Sequence, residues 1–215
     1  PGINHDMDAA QAAAAARHVR RASELAPAAT PKERALIETL KARYGAGPRG
    51  TLDAAYAKAL REVVRRFPED ADVLTLLADA LMVPHGRDYW RKSGAPRPWT
   101  GEILALLEKA LALAPDHPGA NHFYVHMLED SPTPERARDS ARRLQTIAPG
   151  VGHLVHMPAH VLLRLGDYAG TVQVNRNAIA ADRALLQSAG ADPRYQAGYV
   201  VHNHHFLWYA ALMAG

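Results

Sequence analysis

Apolar residues recur at intervals of three and four along almost the whole chain, and period-two alternation of β-branched residues is missing. Residues three or four apart share one face of an α-helix, so the pattern predicts helices and no sheet. Stop signals divide the run. An alanine-rich helix over 7–26 closes at Pro27. Thr30-Pro31-Lys32-Glu33 carries the threonine, first-turn proline and third-position glutamate of a capping box, and its helix runs to Tyr44. Gly45-Ala46-Gly47-Pro48-Arg49-Gly50 breaks it. Further helices are predicted over 51–67, 70–83, 101–114, 119–130, 134–147, 153–165, 168–187 and 202–214. Residues 84–100, rich in Pro, Gly and Trp, read as a long loop, and 187–200 as a second insertion. The aromatic residues in both insertions suit either a lid over a site or a cap on the core. Pro158 falls inside the 153–165 segment, where it either kinks the helix or marks its true start.

Short helices joined by turns call for a test of fixed period. His122 and His156 are 34 residues apart, as are His126 and His160, and Pro115 and Pro149. On Ala120–His126, His153–His160, Arg164-Leu165-Gly166-Asp167-Tyr168 and His202-Asn203-His204-His205-Phe206, the chain resembles the tetratricopeptide-repeat family, and more narrowly a bacterial histidine-rich branch of it. The departures are the two insertions and a missing tryptophan in the first helix of each repeat. The resemblance implies an all-α, right-handed solenoid of antiparallel helix pairs, forming a single domain over 1–215 with two long loop insertions. The last helix, ending at Gly215, has no second helix to pair with, so this reading expects a fragment or a chain completed elsewhere.

Composition narrows the chemistry. Among 215 residues, 48% are hydrophobic and 22% charged, which is globular. With no cysteine there is no disulfide scaffold, thiolate zinc site, iron–sulfur cluster or cysteine nucleophile. A net charge of +3 is too weak to point to nucleic acid. The pairs Arg20-Arg21, Arg65-Arg66 and Arg142-Arg143 lie near helix ends, where dipole and solvent accommodate them. No nucleic-acid partner is expected. No apolar run reaches the ~18 residues of a membrane span, so no membrane partner is expected either. Compartment stays open between cytoplasm and periplasm, and nothing in the pattern sets an oligomeric state. The GxGxxG match at 45–50 follows a helix and serves as a breaker.

The 12 histidines are the unusual feature. If Gly166 takes position 15 of a repeat, His153, His156 and His160 occupy positions 2, 5 and 9, and His122 and His126 occupy 5 and 9 of the repeat before. Gly215 at position 15 of the last repeat puts His202 and His205 at 2 and 5, with Tyr209 at 9. The resemblance implies that positions 2, 5, 9 and 12 line a concave groove. Glu129, at 12, joins them. Imidazoles one helical turn apart can share a metal ion, and nitrogen-rich ligation suits Cu or Zn ahead of Fe or Ni, and argues against Mg or Ca. The candidate ligands are therefore His122, His126, His153, His156, His160, His202 and His205. Glu129 and Tyr209 are candidate catalytic groups, and Asn121 a substrate-orienting one. His5, His18, His85 and His117 are assigned to packing. Three functions fit: a metalloenzyme acting on a small molecule, a non-catalytic metal-binding or delivery protein, or a scaffold that binds a peptide or partner protein in the groove.

Overall fold

Among the described residues, five helices begin at a side chain that accepts from a free N–H group of the first turn. In the computed structural model, which describes residues 7–190 and 193–215, Asp8 caps α1 (Ala9–Leu25) and Gln11 closes the box. His5 and residues 191 and 192 of the second insertion lie outside the described residues. Thr30 and Glu33 make the expected reciprocal box at α2 (Pro31–Arg43), with Glu33 Oε2 accepting from the Thr30 N–H at 2.7 Å. α3 (Arg49–Arg66) starts behind Pro48, α4 (Ala71–Met82) behind Asp70, and α5 (Thr100–Leu113) behind the long loop. Then follow α6 (Pro118–Leu128), α7 (Arg138–Ile147), α8 (Gly152–His156), α9 (Pro158–Arg164), α10 (Tyr168–Ala189), α11 (Pro193–Tyr195), a π-turn over Gln196–Val200, and α12 (Val201–Ala214). Among the described residues the only β feature is an isolated bridge between Trp90 and Pro96. No helix among them is long and apolar enough to cross a membrane.

Pro158 breaks the segment predicted over 153–165 into two helices. Its ring nitrogen has no proton for the Leu154 carbonyl. The Met157 N–H takes that carbonyl instead, at 3.3 Å, and Met157 keeps helical angles. The chain therefore passes from α8 to α9 without a loop, and His156 and His160 stay neighbours across the joint. At the far end of α9, Gly166 adopts φ +75°. Its N–H reaches Leu163 O and that of Asp167 reaches Leu162 O, a Schellman turn. Asp167 then caps α10 by accepting from the Gly170 N–H at 2.8 Å.

The chain divides into two compact units. The first runs to Arg91 and takes in Pro96–Ala114; the second holds Lys92–Ala95 and Pro115–Gly215. Within the first, successive helices α1 to α5 pack each on the next. Tyr56, Ala57, Leu60, Leu77 and Ala80 form its core, with Leu60 fully buried. The loop after α4 folds onto itself: Tyr89 is buried, the His85 ring stacks on Trp99 at 3.8 Å, and Trp99 Nε1 donates to Asp88 O. Within the second unit α6 packs on α7, α7 on α8 and α9, both of these on α10, and α10 on α12, while α6 also meets α9. Both units are all-α with sequential helix-pair packing. On α12, Trp208, Leu212 and Met213 are exposed.

Candidate metal centre

Four helices of the second unit deliver histidines to one place. α6 carries His122 and His126 one turn apart, α8 carries His153 and His156, α9 His160, and α12 His202. His126, His153, His156 and His160 are buried, while His122 and His202 are half-buried. They fall into two triads: His122, His126 and His153, and His156, His160 and His202. Within each, one ligand atom per residue lies within 4.8 Å of the others. His122 Nε2 is 3.0 Å from His153 Nε2, and His156 Nε2 is 3.0 Å from His160 Nε2. Two nitrogens bound at 2.0–2.1 Å to one tetrahedral ion stand about 3.3 Å apart, so the side chains are already close to a chelating geometry.

The hydrogen bonds fix which ring nitrogen is free to ligate. His156 Nδ1 is 2.7 Å from Asn175 Oδ1, and the Asn175 amide is oriented by its own Nδ2 donating to Thr171 O at 2.8 Å. His156 Nδ1 therefore carries the proton. His160 Nδ1 faces Glu129 Oε2 at 2.5 Å and His126 Nδ1 faces Glu129 Oε1 at 2.8 Å, so these two also donate. Neutral His156 and His160 then both point Nε2 lone pairs at one another across 3.0 Å. That arrangement needs a cation between them, either a proton on one ring or a metal ion shared by both. Burial disfavours the proton on His156, whose pKa lies well below the ordinary histidine value. Desolvation is the main cause, and the nearby His160 and His202 add to it.

Glu129 fills the outer-layer role that sets the tautomers of ligating histidines. It is buried, and burial alone would raise its pKa. The positive charge that His160 and His126 carry when protonated, with the hydrogen bonds from both rings, outweighs that and holds the carboxyl far below its ordinary range. A third possible metal group, His126, Glu129 and His160, would draw on atoms already engaged in these hydrogen bonds.

Of the other supporting groups, Tyr195 and Tyr199 are aromatics of the second insertion, while Asn175, Asp182 and Asn203 were not among the sequence-derived candidates. Asp182 accepts from Tyr195 Oη at 2.7 Å and from Asn203 Nδ2 at 2.8 Å, tying α10 to the segment that carries His202. Gly152 lets Asp182 sit against α8, since a Cβ there would collide with the carboxylate. Burial, then the bond to Asp182, raises the Tyr195 pKa. The Phe206 ring packs on His156, His160 and His202 at centroid distances of 4.8, 4.8 and 4.7 Å. Tyr199 tilts against His153 at 4.4 Å. One signal for Asn175 and Asp182 was available: with Thr171 and Ala178 they form a buried stripe on α10, and polar residues on such a stripe mark bonded partners.

Two ligand or catalytic candidates stay outside. His205 is exposed and stacks on Trp208, with centroids 6.0 Å apart. Two residues along a helix turn it by about 200°, which takes His205 away from the buried Asn203 face. The i, i+4 partner of His202 on the site is Phe206. Tyr209 is 40% exposed. The amide nitrogen of Asn121 donates to Pro115 O and His117 O and ties down the start of α6. His117 is the N-cap of that helix, its Nδ1 accepting from the Ala120 N–H at 3.1 Å.

No family model matches the chain, and neither the curated proteins nor the solved structures include a match.

Proposed function

We propose that the chain is a metal-binding protein of the tetratricopeptide-repeat type, holding a transition metal among the buried histidines of its second unit. One observation carries the reading: His156 and His160 both donate through Nδ1, yet their Nε2 atoms meet at 3.0 Å, where a shared cation resolves the clash of lone pairs. All-imidazole ligation favours Cu or Zn over Fe or Ni. The repeat assignment is supported by the 34-residue spacing, which pairs His126 with His160 across Glu129. Three imidazoles leave a coordination position for a small molecule, so metalloenzyme chemistry is within reach of this donor set. Glu129, engaged by two rings, then acts as a positioning residue. The alternative, a groove for a peptide, has less support because four of the six clustered imidazoles are buried.

The test is elemental analysis of tag-free protein, never exposed to a nickel column, beside a His122→Ala/His156→Ala double variant. Near-stoichiometric Cu or Zn, lost in the variant while helical circular dichroism persists, supports the reading. A metal-free protein that also refuses reconstitution ends it, and capture of peptides would become the next experiment.

A further inference from the structure

Resting on that reading, we infer that the second unit holds two adjacent metal ions, one in each histidine triad. The triads are built alike. Each takes an i, i+4 pair from one repeat position, His122/His126 or His156/His160, and a third imidazole from a neighbouring helix, His153 or His202. Each has one Nε2–Nε2 separation of 3.0 Å. Each contains a half-buried histidine, His122 or His202, on the side that reaches solvent.

The triads also adjoin. The His126 and His160 rings are 5.2 Å apart, and those of His153 and His156 are 6.2 Å apart. Glu129 joins the two, one oxygen to Nδ1 of a histidine from each triad. A shared carboxylate between ligands of different ions is the outer-layer arrangement that fixes both sites at once. A single ion cannot use all six imidazoles well, since four is the usual complement for zinc and six would leave no ring relaxed.

Charge points the same way. The six imidazoles bring no charge, and Glu129 brings one negative. Two divalent ions in so buried a place attract a small anion or polar molecule into the positions that three ligands apiece leave open. Paired ions sharing one small ligand are the arrangement used to activate water or to bind a small oxygen-containing substrate. The class of ligand expected is therefore a small oxygen donor bound between the ions, not a peptide.

The test uses the full chain. Tag-free, chelator-stripped protein is titrated with Zn(II), and separately with Cu(II), beside His122→Phe and His202→Phe, which keep an aromatic ring at each half-buried position. Circular dichroism checks the fold of each. The wild type should bind two ions per chain and each variant one. The Cu(II)-loaded wild type should show an integrated paramagnetic signal well below two spins, because close ions couple magnetically. Each variant should show a full single spin. One ion per chain, lost in either variant, overturns the inference and leaves the metal-binding reading standing. Two ions with two full, uncoupled spins also overturn it. No bound ion overturns both.

Discussion

In the first unit α3 and α4 meet through Tyr56, Ala57, Leu60, Leu77 and Ala80, whereas in the second α6, α8, α9 and α12 converge on imidazoles. Successive helices pack on one another in both. What differs is how the interior is satisfied. The apolar core of the first unit needs only exclusion of water, a non-directional gain of roughly 25 cal/mol per Å². The interior of the second needs a partner for every buried nitrogen and oxygen, or the desolvation cost goes uncompensated. Glu129, Asn175, Asp182 and Asn203 supply much of that, and the cation proposed above would supply more. The first unit buries polar side chains too, among them Asp53 and Arg43, whose guanidinium lies 4.5 Å over the Tyr56 ring, but among the described residues it gathers no metal-ligand set. The first interior therefore rests mainly on apolar packing, and the second on buried hydrogen bonds among titratable side chains.

That contrast can be broken from either side. The largest loss is expected from Leu60→Ala, at about 3–5 kcal/mol, because the side chain is fully buried and the cavity cannot be refilled. Chemical denaturation should show it, with metal content unchanged; a fall in metal would mean that the two interiors are not independent. Metal addition should act on the second interior, with about 3–4 kcal/mol of stabilisation at 100–1,000 times the dissociation constant. Hydrogen exchange should place the added protection in α6 to α12. Protection confined to α1 to α5 would refute the assignment.

Smaller effects sharpen the comparison. In metal-free protein, His156→Leu should cost about 1–3 kcal/mol by leaving Asn175 Oδ1 buried without its donor, and Asn175→Leu added to it should recover most of the loss. Failure to recover would show that the imidazole itself supports the fold. Acid should act on the same interior. The folded-state pKa of His156 lies below its unfolded value, so the unfolded chain takes up the proton first. Stability of the metal-free protein should therefore fall as pH drops below about 6.5 toward that lower value, and His156→Leu should flatten the slope in a pH-jump melt. The smallest change is expected in the first unit at Arg61→Ala. Its two bonds to Glu102, both 2.9 Å, are exposed to solvent. Screening holds such a pair to below about 1 kcal/mol, with no effect on metal content.

Much of the local structure was legible. The boxes at Thr30-Glu33 and the turn at Leu165-Gly166-Asp167 are decided by residues within one turn of each other, so the sequence carries them directly. The i, i+4 pairs His122/His126 and His156/His160 are also local, and helix geometry alone puts each on one face. His202 was found through its register, but the same register misled at His205. A fixed offset says which residues lie near the site, and the rotation of α12 about its axis says which of them face it. That rotation is set by Asn203 bonding to Asp182, 21 residues away.

The sequence by itself determined that this protein is helical, where most helices begin and end, and that its chemistry rests on histidine, because propensity, capping and helical spacing act over a few residues. Only the tertiary structure decided that six of the histidines form two adjoining triads. It alone placed Glu129 between rings from two helices and let Asn175 set a tautomer. Such pairings join residues from separate helices, and their geometry follows from how α6, α8, α9, α10 and α12 pack.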